Sequence, residues 1–259
     1  METLPQLSDF LPLDAVEFHA HGFGYETGTT VVWRAAEWSG SGNPSRIRHG
    51  IDVRAYLDGD EVDRTKVETD GPDTPKGQDA IQRLRLSVIA AHGQRYLRPL
   101  LDEVARIGDP QHLIGKDSQL RDTFYRRVRD GQHSPDDLAL VARVEEKEKE
   151  LQEARHRSGI VMWRYIAHLY RHGMAADHIA LQLGASTENV QRRISSVPTR
   201  GAAAITGVQP KTWSGYVARG QAPAPDDHVG SEPVWHLATL LHHIDTQPGR
   251  PGRPPKKTT

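Results

Sequence analysis

The chain has no cysteine. That excludes disulfides, thiolate-held zinc and thiol nucleophiles, and with them every zinc-finger route to nucleic acid. Aromatic residues are scarce at 6%, and apolar residues reach only 36% against 26% charged, so the core is thin for 259 residues. The length allows about two domains. No apolar run approaches the roughly 18 to 20 residues of a membrane span, and METLPQLSDF lacks the basic and apolar regions of a signal peptide. The expectation is a cytoplasmic, nucleoid-associated protein with no membrane partner. Catalytic patterns are also missing. No glycine-rich loop ends in Lys-Ser/Thr, no serine sits in a Gly-x-Ser-x-Gly context, and the acids are scattered. The sequence therefore predicts no enzyme, no catalytic residue and no cofactor.

Net charge is nearly absent too, at -1, but the balance hides a segregation. Residues 1–75 hold 14 acids and 6 bases, a difference of -8. Residues 155–220 hold nine bases against Asp177 and Glu188, a difference of +7. Phosphate affinity follows local charge, so the basic half is the candidate nucleic-acid face.

Residues 17–38 contain strand-like segments, notably TTVVWRAAEW, and SGSGNPS (39–45) reads as a loop. The next stretch, RIRHGIDVRAYL, alternates with Ile47, Ile51, Val53, Ala55 and Leu57 as buried positions. Asp58-Gly59 is a hairpin signal and 61–68 the returning strand. These predict a small antiparallel sheet of three or four strands. DGDEVD begins like a calcium loop but has no glycine at its sixth position and Thr69 at its twelfth, so it reads as a hairpin edge. His19 and His21 could share a strand face, yet no third ligand lies near them, and no metal is expected. TDGPDTPKG (69–77) is a linker or long loop. Helical spacing follows: one helix from about Ile81 to His92-Gly93, a second over 96–107, and a third over 118–130 with Leu120, Phe124 and Val128 inward. Ser134, Pro135 and two acids open a charged helix to about Arg157, interrupted at Ser158-Gly159. That helix is either solvated and ion-paired or a dimerising coiled coil, which leaves a homodimer open.

Residues 176–195, ADHIALQLGASTENVQRRIS, read as helix-turn-helix. Ile179, Ala180 and Leu183 form one buried face, Gly184 suits a turn needing positive φ, and Val190 and Ile194 anchor the second helix. Ser186 or Thr187 caps that helix, and Glu188, Asn189, Gln191, Arg192 and Arg193 stand on its outer face as base-reading and phosphate-binding side chains. A plain αα-hairpin is the alternative reading. The pattern repeats with Ala203, Gly207, Trp213 and Tyr216 at the offsets of Ala180, Gly184, Val190 and Arg193. Pro210 then opens a second recognition helix, preceded by Gln209, that carries Lys211, Thr212, Ser214, Gly215 and Arg219.

Residues 160–196 resemble the helix-turn-helix of bacterial sigma factors and resolvases. GVQPKTWSGYVARGQAPAPD with PVW is more specific, and residues 199–247 resemble the winged-helix modules of phage excisionases and MerR-like regulators. The resemblance implies a recognition helix in the major groove and a wing, 226–231, along the backbone. Asp226, Asp227 and Glu232 depart from it by placing negative charge on that wing. The tail QPGRPGRPPKKTT is similar to an AT-hook or to a plain basic tail, with Arg250, Arg253, Lys256 and Lys257 as minor-groove or phosphate contacts.

The fold class expected is α+β: a small antiparallel N-terminal sheet with helices, then a mainly α half with two consecutive helix-turn-helix modules and a disordered tail. The segments expected are 1–132 (acidic α+β), 133–158 (charged helix), 159–197 (first module), 198–247 (winged second module) and 248–259 (tail). The function expected is sequence-specific binding of double-stranded DNA by a bacterial or phage transcriptional regulator. A recombination or plasmid-maintenance accessory factor, and an adaptor binding a protein partner through its N-terminal domain, are the alternatives.

Overall fold

The protein is α+β, with a four-stranded N-terminal sheet followed by a mostly helical remainder. The computed structural model describes residues 3–20, 28–40 and 43–246. Strand β2 (Thr30–Gly40) pairs antiparallel with β3 (Asn43–Leu57), and β3 with β4 (Asp60–Val67). Asp58 at φ 52 and Gly59 at φ 91 make the β3–β4 turn, the pair of left-handed residues that a two-residue hairpin demands. Ile51, Val53, Ala55 and Leu57 are all buried, as alternation predicts; the Ile47 side chain lies outside the described residues. Part of the expected 39–45 loop is strand.

Strand β1 (Glu17–Ala20) corrects the expectation of a wholly antiparallel sheet. It runs parallel to β2, with Glu17 opposite Thr30. Alternation reports which face is buried but carries no information on strand direction. His19 Nε2 donates to Glu17 Oε2 at 2.9 Å, and His21 lies outside the described residues.

Helix α1 (Pro75–Ile107) is one helix where two are expected, with Pro99 inside it. Thr74 caps its start, its Oγ1 accepting from Gly77 N at 3.1 Å. Gly93 is a packing glycine rather than a stop: a Cβ there would lie 2.5 Å from the Tyr165 ring. Tyr165 OH then donates to Ala90 O at 3.1 Å across the same close approach. Ser87 donates to Asp63 Oδ2 at 2.7 Å, tying α1 to the sheet face that carries Val53 and Ala55.

Helix α2 (Ser118–Arg129) is capped by Asp117, and of its expected inner residues only Phe124 is buried, while Leu120 is 65% exposed. Helix α3 (Pro135–Arg171) opens as expected, with Ser134 Oγ accepting from Asp137 N at 3.1 Å and Asp137 Oδ2 accepting from Ser134 N at 2.9 Å. It does not break at Ser158-Gly159. Ser158 Oγ donates to Arg155 O at 3.1 Å, satisfying its hydroxyl within the helix, so the pair costs propensity without ending the helix.

The chain divides into two compact units that cut across the segments expected from sequence. One comprises Gln94–Met162 with Met1–Leu4; the other comprises Pro5–Gly93 with Trp163–Thr259. The sheet and the C-terminal helices thus belong to one unit. In that unit the core runs from Val31, Val53 and Leu84 to Tyr165, Ile179, Trp213 and Leu240.

Candidate nucleic-acid interface

The second compact unit ends in two helix pairs built on one plan. Helix α4 (Ala176–Leu183) stops at Gly184, φ 61, where Ala185 N donates back to Ala180 O at 3.0 Å. Helix α5 (Thr187–Ser195) starts on Ser186, whose Oγ accepts from Asn189 N at 3.3 Å. Helix α6 (Thr199–Thr206) stops at Gly207, φ 73, where Val208 N donates to Ala203 O at 3.0 Å. Helix α7 (Pro210–Ala218) starts on proline, which needs no donor in the first turn. Ala180 and Ala203 are buried where the helices of each pair cross, and Val190 and Trp213 are buried on the second helices. The repeat noted in the sequence is therefore a repeat of geometry.

The joint between the pairs is itself structured. Val197–Pro198 forms strand β5, which pairs antiparallel with β7 (Glu232–Trp235), and β7 pairs with β6 (Asp227–Val229). Helix α8 (Leu237–Thr246) follows and packs against both α5 and α6. Trp213 meets Trp235 edge-on at 5.6 Å, and Trp235 Nε1 donates to Pro223 O at 3.0 Å, fixing the hairpin to α7. Asp226, expected to repel phosphate, has both carboxylate oxygens occupied: Oδ2 accepts from His236 N at 2.8 Å and Oδ1 from Thr239 Oγ1 at 3.2 Å. It braces the start of α8. Asp226 is exposed all the same, as are Asp227 and Glu232 on the hairpin.

Thr187, Glu188, Gln191 and Arg192 are exposed on α5, and Gln209, Lys211, Thr212, Ser214 and Arg219 are exposed on and beside α7. Gly215 is half-buried, and Ser214 Oγ donates to Pro210 O at 3.1 Å. Arg219 lies 5.5 Å from the Tyr216 ring centre and donates from Nε to Gln221 Oε1 at 3.0 Å, which orders its guanidinium at the end of α7. Arg250, Arg253, Lys256 and Lys257 lie outside the described residues.

Arg193 and Asn189 depart from the expected outer face. Both are half-buried, Arg193 Nε donates to Asn189 Oδ1 at 3.4 Å, and the Arg193 guanidinium sits over Trp163. Burial lowers the Arg193 guanidinium from its ordinary range, with neighbouring Arg192 adding to the effect. A helical wheel drawn for α5 alone has no means of showing that a tryptophan from α3 covers this side.

Sequence reasoning also missed Arg164. It is buried, with Nε donating to Ala204 O at 2.7 Å and Nη1 donating to Pro5 O. Ala204 O lies in the last turn of α6, where a cation satisfies orphan carbonyls and the helix dipole together. Burial lowers Arg164 from its ordinary value, opposed by the charge of Asp9. The only signal in the sequence was a charged residue inside the apolar run IVMWRYIAHLY.

Chemically, this surface offers two helices with exposed amide, hydroxyl and cationic groups on a rigid support. Among the described residues no three His, Cys, Asp or Glu side chains converge as metal ligands. No helix among them is long and apolar enough to cross a membrane. Comparison with protein-family models, curated proteins and solved structures finds no match to the chain.

Proposed function

We propose that the protein binds double-stranded DNA sequence-specifically, without catalysis, and acts as a transcriptional regulator. The observation that carries the reading is the repeated plan: helix, left-handed glycine, then a second helix with an exposed polar and basic side. α5 and α7 are the recognition helices. Gln191 and Lys211 are base readers, because amide and ammonium groups on an exposed helix can meet base edges in the major groove. Arg192 and Arg219 are phosphate contacts. The β6–β7 hairpin serves as a wing, with Asp226 anchoring it to the start of α8.

The resemblance to excisionases supports a second reading, a recombination or plasmid-maintenance accessory factor, since the hairpin and α8 follow α7 in the order that family has. Selection of bound fragments from random and genomic DNA by the full chain separates the two. Enrichment of a promoter site supports regulation, and repeats beside an attachment site support the accessory role. Absence of any retarded complex with duplex DNA at low salt would overturn both.

A further inference from the structure

The N-terminal sheet ends in two edges. Its strand order is β1-β2-β3-β4, so neither β1 nor β4 has a strand on its outer side among the described residues. An unpaired edge presents a row of backbone donors and acceptors, and proteins guard such edges with lysine, proline or a cover. β1 is guarded poorly. Phe18 is 40% exposed there, while Val31, its neighbour across the β1–β2 ladder, is fully buried. Phe18 shares with Val31, Ala55 and Asp63 the face that α1 covers, and Ser87 of α1 reaches that face at Asp63. The apolar layer under α1 thus ends on an uncovered ring.

Glu17 and His19 flank that ring on the opposite face of the sheet, both exposed and 2.9 Å from each other. An acid and a base placed either side of an apolar residue make β1 self-complementary. When two copies of one strand pair antiparallel about a two-fold axis, the axis runs perpendicular to the sheet, each face continues into the same face, and one residue meets its own copy. Centred on Phe18, that register sets Phe18 against Phe18, Glu17 against His19 and His19 against Glu17 of a second copy. β4 fails the same test. Every such register centred between Glu61 and Lys66 brings like charges opposite: Glu61 with Glu61, Glu61 with Asp63, Asp63 with Asp63, Arg64 with Arg64, Arg64 with Lys66, or Lys66 with Lys66.

We propose that β1 is a dimerisation edge, joining two copies of this chain antiparallel through Phe18 so that two four-stranded sheets become one. Opposite residues in such a ladder stand about 4.5–5.5 Å apart at Cβ, close enough for the aromatic pair and for a Glu17–His19 contact on each side of it. The two contacts within strands are exchanged for two between strands, so no ionic contact is lost, and burial of the Phe18 rings supplies the gain. The edge is preformed. Arg85 of α1 donates from Nη2 to Leu13 O at 2.8 Å and to Val16 O at 3.2 Å, holding the chain where it enters β1. The proposal does not rest on the DNA reading, and association is measured with no DNA present.

Sedimentation equilibrium of the full chain over a wide concentration range tests the proposal. Reversible monomer–dimer association is expected, weakened about tenfold or more by Phe18→Asp, which sets two carboxylates opposite each other. Charge exchange separates this edge from any other surface. The double variant Glu17→Lys/His19→Lys sets lysine against lysine, and His19→Glu sets glutamate against glutamate, so each chain alone should associate more weakly than the parent. Mixed, the two should form a heterodimer with lysine facing glutamate at both positions, which also shows that both variants fold. Mixed chains that stay apart with circular dichroism like the parent's overturn the proposal; if either charge variant is unfolded, Phe18→Asp decides alone. A parent that stays monomeric at every concentration overturns it too. So does a dimer that Phe18→Asp leaves as tight as the parent, which would move the contact to another surface such as the charged part of α3.

Discussion

The guanidinium carbon of Arg193 lies 5.1 Å from the centre of the Trp163 ring. The same indole is met by α6, where a Cβ on Gly201 would fall 2.9 Å from it. One ring thus contacts α5 of the first pair and α6 of the second. Arg193 thus braces α5 against Trp163. Arg193→Ala should lower unfolding stability in urea by about 1 kcal/mol, in the range of a partly desolvated cation–π pair. Unchanged stability with weakened duplex binding would return Arg193 to the DNA face.

The helix pairs were legible because their signals are local. Gly184, Ser186, Gly207 and Pro210 each mark a helix end by their own backbone chemistry, so both pairs fall where the pattern put them. What the sequence hid depends on distant partners. Gly93 looks like a helix stop until Tyr165 is seen against it, and Arg164 looks misplaced until Ala204 O and Pro5 O are found around it. Leu120 reads as core by spacing, yet it is 65% exposed, because spacing names a face and not what covers it.

Two buried groups give acid unfolding two separate windows. Burial, with His172 nearby, holds the His168 imidazole down at about 4 from an ordinary 6.5, so the native state binds fewer protons than the unfolded chain between those values. His168 Nε2 is buried without a partner among the described residues, and Phe10, His92, Arg171 and His172 surround the ring. Stability from this group is complete above about pH 6.5 and is lost as pH falls toward 4, by about 1–3 kcal/mol. For Asp52, burial would raise the carboxyl, but hydrogen bonds from Arg64 and Arg34 outweigh it and hold the group at about 2 from 3.8. Its contribution, about 1–2 kcal/mol, is complete above about pH 4 and is lost toward pH 2. Urea midpoints measured from pH 8 to 2 should fall in both windows. His168→Phe should flatten only the upper one and Asp52→Asn only the lower; a single shared transition in both variants would reject the assignment.

Base reading and phosphate positioning should separate in binding data. Gln191→Ala or Lys211→Ala should cost about 1–3 kcal/mol on the selected site and relax preference at one base pair, with little effect on random duplex. Arg192→Ala and Arg219→Ala should weaken both DNAs alike and make binding less sensitive to salt, the log-log slope becoming shallower by about 0.9 for each phosphate that is no longer neutralised. Equal weakening on both DNAs for all four changes would mean that neither helix reads sequence.

The two pairs should act as one reader. Ser196 is the only residue between the end of α5 and β5, β5 is hydrogen-bonded into the β7 ladder, and α8 packs on both α5 and α6. Independent swinging of the pairs would have to strip α8 from one of them. α5 and α7 are therefore held at a fixed spacing, and if both read DNA as proposed, the bound site should be longer than a single pair covers. Inserting about ten Gly/Ser residues after Ser196 tests this, because it leaves the Val197–Pro198 pairing intact while lengthening the joint. A ten-residue flexible chain spans roughly 16–19 Å on average, enough to release one pair from the other. Nuclease footprints and gel shifts on the full site should then show reduced affinity with each half-site still weakly bound. An unchanged footprint and affinity would show that only one pair touches DNA and that the other is a structural hairpin supporting it.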